Sequence, residues 1–222
     1  MCGRFTITLE PAFFQQEFNL GKVPSEWTPR YNAAPGQNIP VVRNAKLRDV
    51  DMLHWGLIPS WAKDKKIGYR MINARSETLQ EKPSFRNAFK QRRCLILADG
   101  FYEWQKSSSQ GAPKSPFRFT LKNFQPFAFA GLWEKWGSGE GNIVSCTIIT
   151  CAPNELVGKV HNRMPVILDK DRCWQWLEEG VPDKLQKMLA PFPSEQMDVY
   201  PVSQRVNNPR LDDKDVIEPL AF

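Results

Sequence analysis

The chain has 222 residues, of which 41% are hydrophobic and 24% charged, and its 18 Pro argue against long uninterrupted helices. The formal charge is +6 and lies in the first half, with 17 Lys/Arg against 10 Asp/Glu in residues 1–106 and 13 against 14 thereafter; such a one-sided excess suits a polyanionic partner. Five Cys without a CxxC pair, only two His and no run of 18 apolar residues exclude a disulfide framework, a structural zinc site and a membrane-spanning helix.

Taken in chain order, β-branched and aromatic runs predict strands over residues 4–8, 50–55, 93–98, 101–105, 117–121, 127–133 and 143–150. Shorter strand candidates follow at 164–168 and 199–202. Helical spacing, or a Pro or Asp start signal, predicts short helices over 11–18, 84–90, 153–157, 170–178 and 183–189. Polar stretches with Gly or Pro at 106–115 and 137–141 read as loops. Strands follow strands through short connections, without a βαβ alternation. That order predicts an α+β fold with a largely antiparallel, barrel-like β core and flanking short helices. No composition shift marks a boundary, so residues 1–222 are expected to form a single domain.

The chain begins MCGRF. A small second residue permits removal of Met1, which would leave Cys2 with an amine and a thiol on adjacent carbons. The α-amine has a reference pKa of about 7.7–8.0, against about 10.4 for Lys, so roughly a tenth of it is free base at neutral pH. Such an amine attacks aldehydes to form a Schiff base. The thiol can then close on the imine carbon as a five-membered thiazolidine, which resists hydrolysis far better. The plainer alternative is that Cys2 is an incidental second residue.

In DGFYEW (99–104), an extended backbone puts Phe101, Glu103 and Gln105 on one face and Tyr102 and Trp104 on the other. A carboxylate among apolar neighbours is desolvated, and a carboxyl poised near neutrality is a competent general acid or base. Otherwise Glu103 faces solvent on a one-sided sheet. In HNRMPVIL (161–168), His161 precedes a strand-like run, where side chains are exposed at a sheet end. A lone His is more often structural than catalytic, and His54 is assigned no role in the chemistry.

In INARSET (72–78), Asn73 and Arg75 point the same way along an extended chain. Asn can donate and accept while orienting a reacting group, and Arg suits a phosphate. Alternatively Asn73 and Ser76 only start a helix. RYNAAPG (30–36) and WGLIPSWAKD (55–64) mix aromatic, Asn and basic residues. Trp61, in a predicted loop, is the candidate for stacking an unpaired base. Trp55 and Trp104 are expected in the core. Phe85 and Phe89 should face inward and leave Arg86 and Lys90 outside.

In this order MCGRF, RYNAAPG, WGLIPSWAKD, NARSET, DGFYEW and HNRMPVIL closely resemble the SOS-response-associated peptidase (SRAP) family. The resemblance runs from residue 2 to about 168, with a weaker echo at 201–208 (PVSQRVNN). It implies an antiparallel barrel-like core and a basic DNA cleft. It also implies that Cys2 is the nucleophile that forms a thiazolidine with a ring-opened deoxyribose. Glu103 would shuttle protons, His161 would assist the acid–base steps and reversal, and Asn73 would orient the amino terminus and the sugar. Arg4 and Arg75 would hold phosphates beside the lesion, Trp61 would stack on a base, and Asn32 would join the DNA contacts.

The implied partner is single-stranded DNA carrying abasic sites, with no cofactor, metal or membrane. A cytoplasmic monomer that meets the nucleoid when acting on DNA is expected. Two rival readings use the same residues differently. A cysteine peptidase, including one limited to trimming its own Met1, would use Cys2 as thiolate, His161 as base and Asn73 as orienter. A noncovalent reader of modified bases would need the aromatic cleft but not Cys2.

Overall fold

The computed structural model describes residues 2–107, 111, 113–178 and 180–220. The elements run β1 (Phe5–Ile7), α1 (Pro11–Phe18), β2 (Arg30–Ala33), β3 (Asn38–Val42), β4 (Val50–Trp55), β5 (Asn73–Arg75), α2 (Arg86–Gln91) and β6 (Arg93–Ala98). They continue with β7 (Gly100–Gln105), β8 (Ser115–Leu121), β9 (Phe127–Trp136), β10 (Ile143–Cys151), α3 (Glu155–Gly158), β11 (Met164–Pro165), β12 (Ile167–Leu168), α4 (Lys170–Leu177), α5 (Pro182–Lys187) and β13 (Met197–Pro201).

The fold is α+β around a closed β-barrel. The circuit β10–β4–β3–β6–β9 returns to β10. An odd number of strands cannot alternate direction all the way round a closed circuit, so one pairing must be parallel. That pairing is β4 with β10, where Ser145 lies opposite His54 and Cys146 opposite Trp55. β6 (RCLILA) is buried at every position, as is the first part of β9 (FAFAGL), which is why these runs lack alternation. Gly131 in β9 lets the wall close. A Cβ there would meet Cys94 Sγ and Ile96 Cδ1 at 2.9 Å and the Thr147 carbonyl at 3.1 Å.

A second sheet, ordered β13–β8–β7–β1–β2 and antiparallel throughout, lies against the barrel. Phe5 packs its ring on Trp55 and Phe129 at 5.1 and 5.6 Å, and Phe101 stacks on Phe119 at 5.0 Å. Burial of each such ring stabilises the fold by roughly 1.5–3 kcal/mol. The outer face of this sheet carries a small second cluster of Tyr102, Val202, Val206 and Val216.

Each predicted strand and helix has a counterpart, with 164–168 split into β11 and β12. Residues 108–110 and 112 of the predicted 106–115 loop lie outside the described residues. Three strands were not predicted. β3 contains Pro40, which ordinarily argues against an interior strand. Here Pro40 sits opposite Met52 of β4, while the β6 pairing involves only Val41 and Val42. β2 and β5 are short and polar. Trp55 is fully buried, whereas Trp104, expected in the core, is only partly buried beside the second cluster. There its indole N–H donates to Asn207 Oδ1 at 2.7 Å. Phe85 and Phe89 are buried while Arg86 and Lys90 are exposed. No helix among the described residues is long and apolar enough to cross a membrane.

Candidate active site

The pairing of β1 with β7 sets Phe5 opposite Phe101, and Tyr102 N–H donates to the Arg4 carbonyl at 3.0 Å. Continued by two residues, that register brings Gly3 opposite Glu103, so the amino-terminal segment runs past the Glu103 carboxyl. Cys2 is fully buried, and its thiol lies 3.9 Å from the Arg4 carbonyl. Burial pushes the thiol well above its ordinary range, and the Glu103 charge adds to the shift. The thiol is therefore neutral at pH 7.

Glu103 lies on the same face of β7 as Phe101, and only 3% of its side chain is exposed. Burial raises its pKa from 4.5 to about 7, with Lys114 among the opposing influences. His161 Nε2 faces Glu103 Oε2 at 3.8 Å. The imidazole is held from behind, because Arg163 N–H lies 3.1 Å from Nδ1. The Arg163 carbonyl lies 3.2 Å from the same Nδ1, so the Arg163 backbone can hold either neutral tautomer of the ring. Burial lowers the His161 pKa, so the ring is neutral at pH 7. A neutral thiol, a carboxyl near its midpoint and a neutral imidazole thus meet at one place. Together they can give and take protons without a fixed charge.

His161 follows α3, whose first turn is capped by Asn154 Oδ1 accepting from Val157 N–H at 2.9 Å. The His161 N–H then closes on the Val157 carbonyl at 2.8 Å. Arg163 ties this segment to β10 and to the turn that follows β5. Its guanidinium makes a two-pronged contact with Glu77 at 2.6 and 3.0 Å and donates to the Thr150 carbonyl at 2.6 Å. Thr150 in turn lies opposite Arg75 in the parallel β5–β10 pairing. Asn73, two residues earlier, is half-buried and donates to the Ile72 carbonyl at 3.0 Å. Its Oδ1 is buried without a hydrogen-bond partner among the described residues. That is an acceptor left ready for a donor.

The expected DNA contacts divide. Trp61 is 59% exposed on the β4–β5 loop, and Arg75 is exposed at the end of β5. Arg4 and Asn32 are engaged within the fold. Arg4 Nη1 donates to Asn32 Oδ1 at 2.9 Å and to the Val206 carbonyl at 2.6 Å. Asn32 is fully buried, and its amide donates to the carbonyls of Val206, Asn208 and Leu211 at 3.2, 3.1 and 2.8 Å. The pair fastens the carboxy-terminal segment to β2. Met1 lies outside the described residues, and His54 lies on β4, beside Lys65 and Tyr69. Among the described residues no group of three or more His, Cys, Asp or Glu could hold a metal ion.

The family model described as SOS response associated peptidase (SRAP) matches residues 1–209. The chain belongs to the SRAP family. Among SRAP relatives, the abasic site processing protein YoqW of Bacillus subtilis is 47% identical, over 98% of this chain and 99% of that protein. The abasic site processing protein HMCES of Xenopus tropicalis is 34% identical, over 95% of this chain and 76% of that one. The fold is shared with a crystal structure of a Bacteroides thetaiotaomicron protein, at a TM-score of 0.89, 24% identity and coverage of 99% and 100%. A protein from Bordetella bronchiseptica matches at a TM-score of 0.77 and 26% identity, over 91% of this chain and all of that one.

Several residues around this candidate site escaped sequence reasoning. Arg163 and Glu77 lie inside motifs already singled out, but their contact joins positions 86 apart. Lys106, Lys114 and Lys159 carry no motif and meet only in the folded chain. Tyr69, 69% exposed beside Lys65 and Lys66, adds a second open ring near Trp61's loop.

Proposed function

We propose that this chain captures abasic sites in single-stranded DNA by bonding covalently to them through Cys2. The observation that carries this reading is the meeting of Cys2, Glu103 and His161 in protonation states suited to imine and thiazolidine chemistry. The names of the relatives, abasic site processing proteins, support the choice of substrate. The basic first half of the chain supports a nucleic-acid partner.

Loss of Met1 frees the Cys2 amine. The amine nitrogen adds to the aldehyde carbon of the ring-opened deoxyribose. The aldehyde oxygen gains two protons and leaves as water, while nitrogen loses two, and a C=N bond results. Glu103, close to half-protonated at pH 7, relays those protons, giving one to oxygen and taking one from nitrogen. The thiol sulfur then bonds to the imine carbon, and its proton ends on nitrogen. His161, neutral and beside Glu103, assists that last transfer. The product is a thiazolidine with no aldehyde left. The strand is shielded because β-elimination requires the aldehyde or imine to acidify the neighbouring C–H. Arg75 and Trp61 hold the strand, and Asn73 Oδ1 accepts from the free amine.

The peptidase reading needs a thiolate beside an imidazolium. Burial acts against both charges, raising Cys2 and lowering His161. The covalent reading needs neither.

Substituting Cys2→Ser tests the chemistry. The amine remains, so an imine should form and borohydride should trap it. Without the thiol the adduct should not survive heating. A Ser variant giving adducts as heat-stable as the parent would rule out the thiazolidine.

A further inference from the structure

Beside His161 lies a second feature, a cavity of about 430 Å³ bounded by Trp104, Lys106, Lys114, Lys159, His161 and Asn162. Its chemistry is one-sided. Among the described residues three lysines line it and no Asp or Glu does. All three are exposed, and none forms an ion pair among the described residues. In a cavity of about 370 Å³ between α1 and α4, by contrast, the carboxylates of Glu17, Asp169, Asp171 and Glu195 outnumber the two lysines, Lys122 and Lys170, and would repel an anion.

The walls are fastened from separate elements. Gln105, on the Glu103 face of β7, donates to the Lys159 carbonyl at 3.0 Å. Gln204 donates to the Lys114 carbonyl at 2.8 Å. Trp104 is tethered to Asn207 on the far side. The backbones of Lys114 and Lys159 are thus fixed at the opening, while the three ammonium groups form no ion pair among the described residues. Three ammonium groups around one cavity repel one another until an anion enters. His161 is a wall shared with the active site, with Glu103 across the ring. The electrostatic reach agrees, since Lys114 acts on both Glu103 and His161 and Lys106 acts on His161.

We infer that this cavity is a phosphodiester-binding subsite, in which Lys106, Lys114 and Lys159 together hold one phosphate of the strand flanking the abasic sugar. The inference rests on the proposed function for the identity of the strand, and it adds where the backbone is gripped. A sugar seated at Cys2 has a phosphate on each side. A lysine-lined cavity sharing His161 with the active site is placed to take one of them. Lysine suits the task because its ammonium is a point charge that tolerates any approach direction.

Two arms test it. In the first, binding of the full chain to an undamaged single strand is followed by fluorescence anisotropy across a salt series. Three lysines gripping one phosphate predict that the K106A/K114A/K159A variant lowers the slope of log K against log salt by about 0.7. K46A, on the exposed β3–β4 loop, serves as a control and should leave the slope unchanged. In the second, single linkages beside the abasic site are replaced by neutral methylphosphonate. One replacement should slow adduct formation by wild type roughly tenfold and leave the triple variant unaffected.

A triple variant with the wild-type slope would overturn the inference, as would one slowed by every replacement as much as wild type. Loss of capture in inorganic phosphate at constant ionic strength would assign the cavity to free phosphate and overturn it too. If wild type formed no adduct but the slope changed, the subsite would stand and the covalent reading would fall.

Discussion

Glu103 Oε2 and His161 Nε2 face each other at 3.8 Å, and burial suppresses the charge of both. An exposed pair of this kind would be an ordinary ion pair at neutral pH. Here the carboxyl rises to about 7 and the imidazole falls, so both are neutral over a shared range. That range is where imine formation works best, because carbinolamine dehydration needs an acid while the attacking amine must be free.

The raised carboxyl should cost stability in alkali. In the folded chain Glu103 keeps a proton that the unfolded chain releases between pH 4.5 and about 7. Its favourable contribution is complete below 4.5 and is lost as pH rises through about 7. The difference amounts to about 3 kcal/mol at most. E103Q, which cannot ionise, should therefore gain more stability over wild type at pH 8 than at pH 5. Urea unfolding at both values checks this. An equal difference at both would show that Glu103 is not raised.

The same group should shape the rate. Adduct formation should rise toward about pH 7 as the Cys2 amine loses its proton, then fall as Glu103 loses its own. E103Q should be slow throughout and lack the alkaline fall. Single-turnover rates measured from about pH 5 to about pH 9 would show whether the alkaline limb belongs to Glu103.

Asn32→Ala should act on the fold. It removes donors to three buried or partly buried carbonyls and the acceptor for Arg4. A destabilisation of about 1–3 kcal/mol is expected. The salt dependence of DNA binding should stay as in wild type. A normal melting temperature with weaker single-strand affinity would instead make Asn32 a DNA contact.

Trp61→Ala should do the reverse. The ring is 59% exposed, so its loss should leave thermal stability within about 0.5 kcal/mol. Single-strand affinity should fall by about 1–3 kcal/mol, the worth of one stacked base. Anisotropy with an undamaged oligonucleotide measures it, and unchanged affinity would take Trp61 out of the interface.

The sequence was most legible where chemistry and period coincide. Alternation along DGFYEW put Glu103 on the Phe101 face, and the folded chain buries it there beside that ring's core. His161 and Cys2 stood out by residue type and motif. The fold-fastening bonds of Arg4 and Asn32 were not legible, because their partners are main-chain carbonyls near residues 206–211, which no local pattern reveals. The lysine cavity was hidden for the same reason, since it joins the β7–β8 connection to the exit of α3. The parallel β4–β10 pairing follows from closing an odd-stranded barrel, a property of topology that no single segment carries.

The most direct test of covalent capture uses Met1-processed protein, its mass confirmed, mixed with single-stranded DNA carrying one abasic site. The mixture is heated in SDS and resolved by electrophoresis. A shifted band that disappears with Cys2→Ala and with undamaged DNA is the predicted result. No band from a preparation with a free Cys2 amine would contradict the account and favour a noncovalent reader or a peptidase.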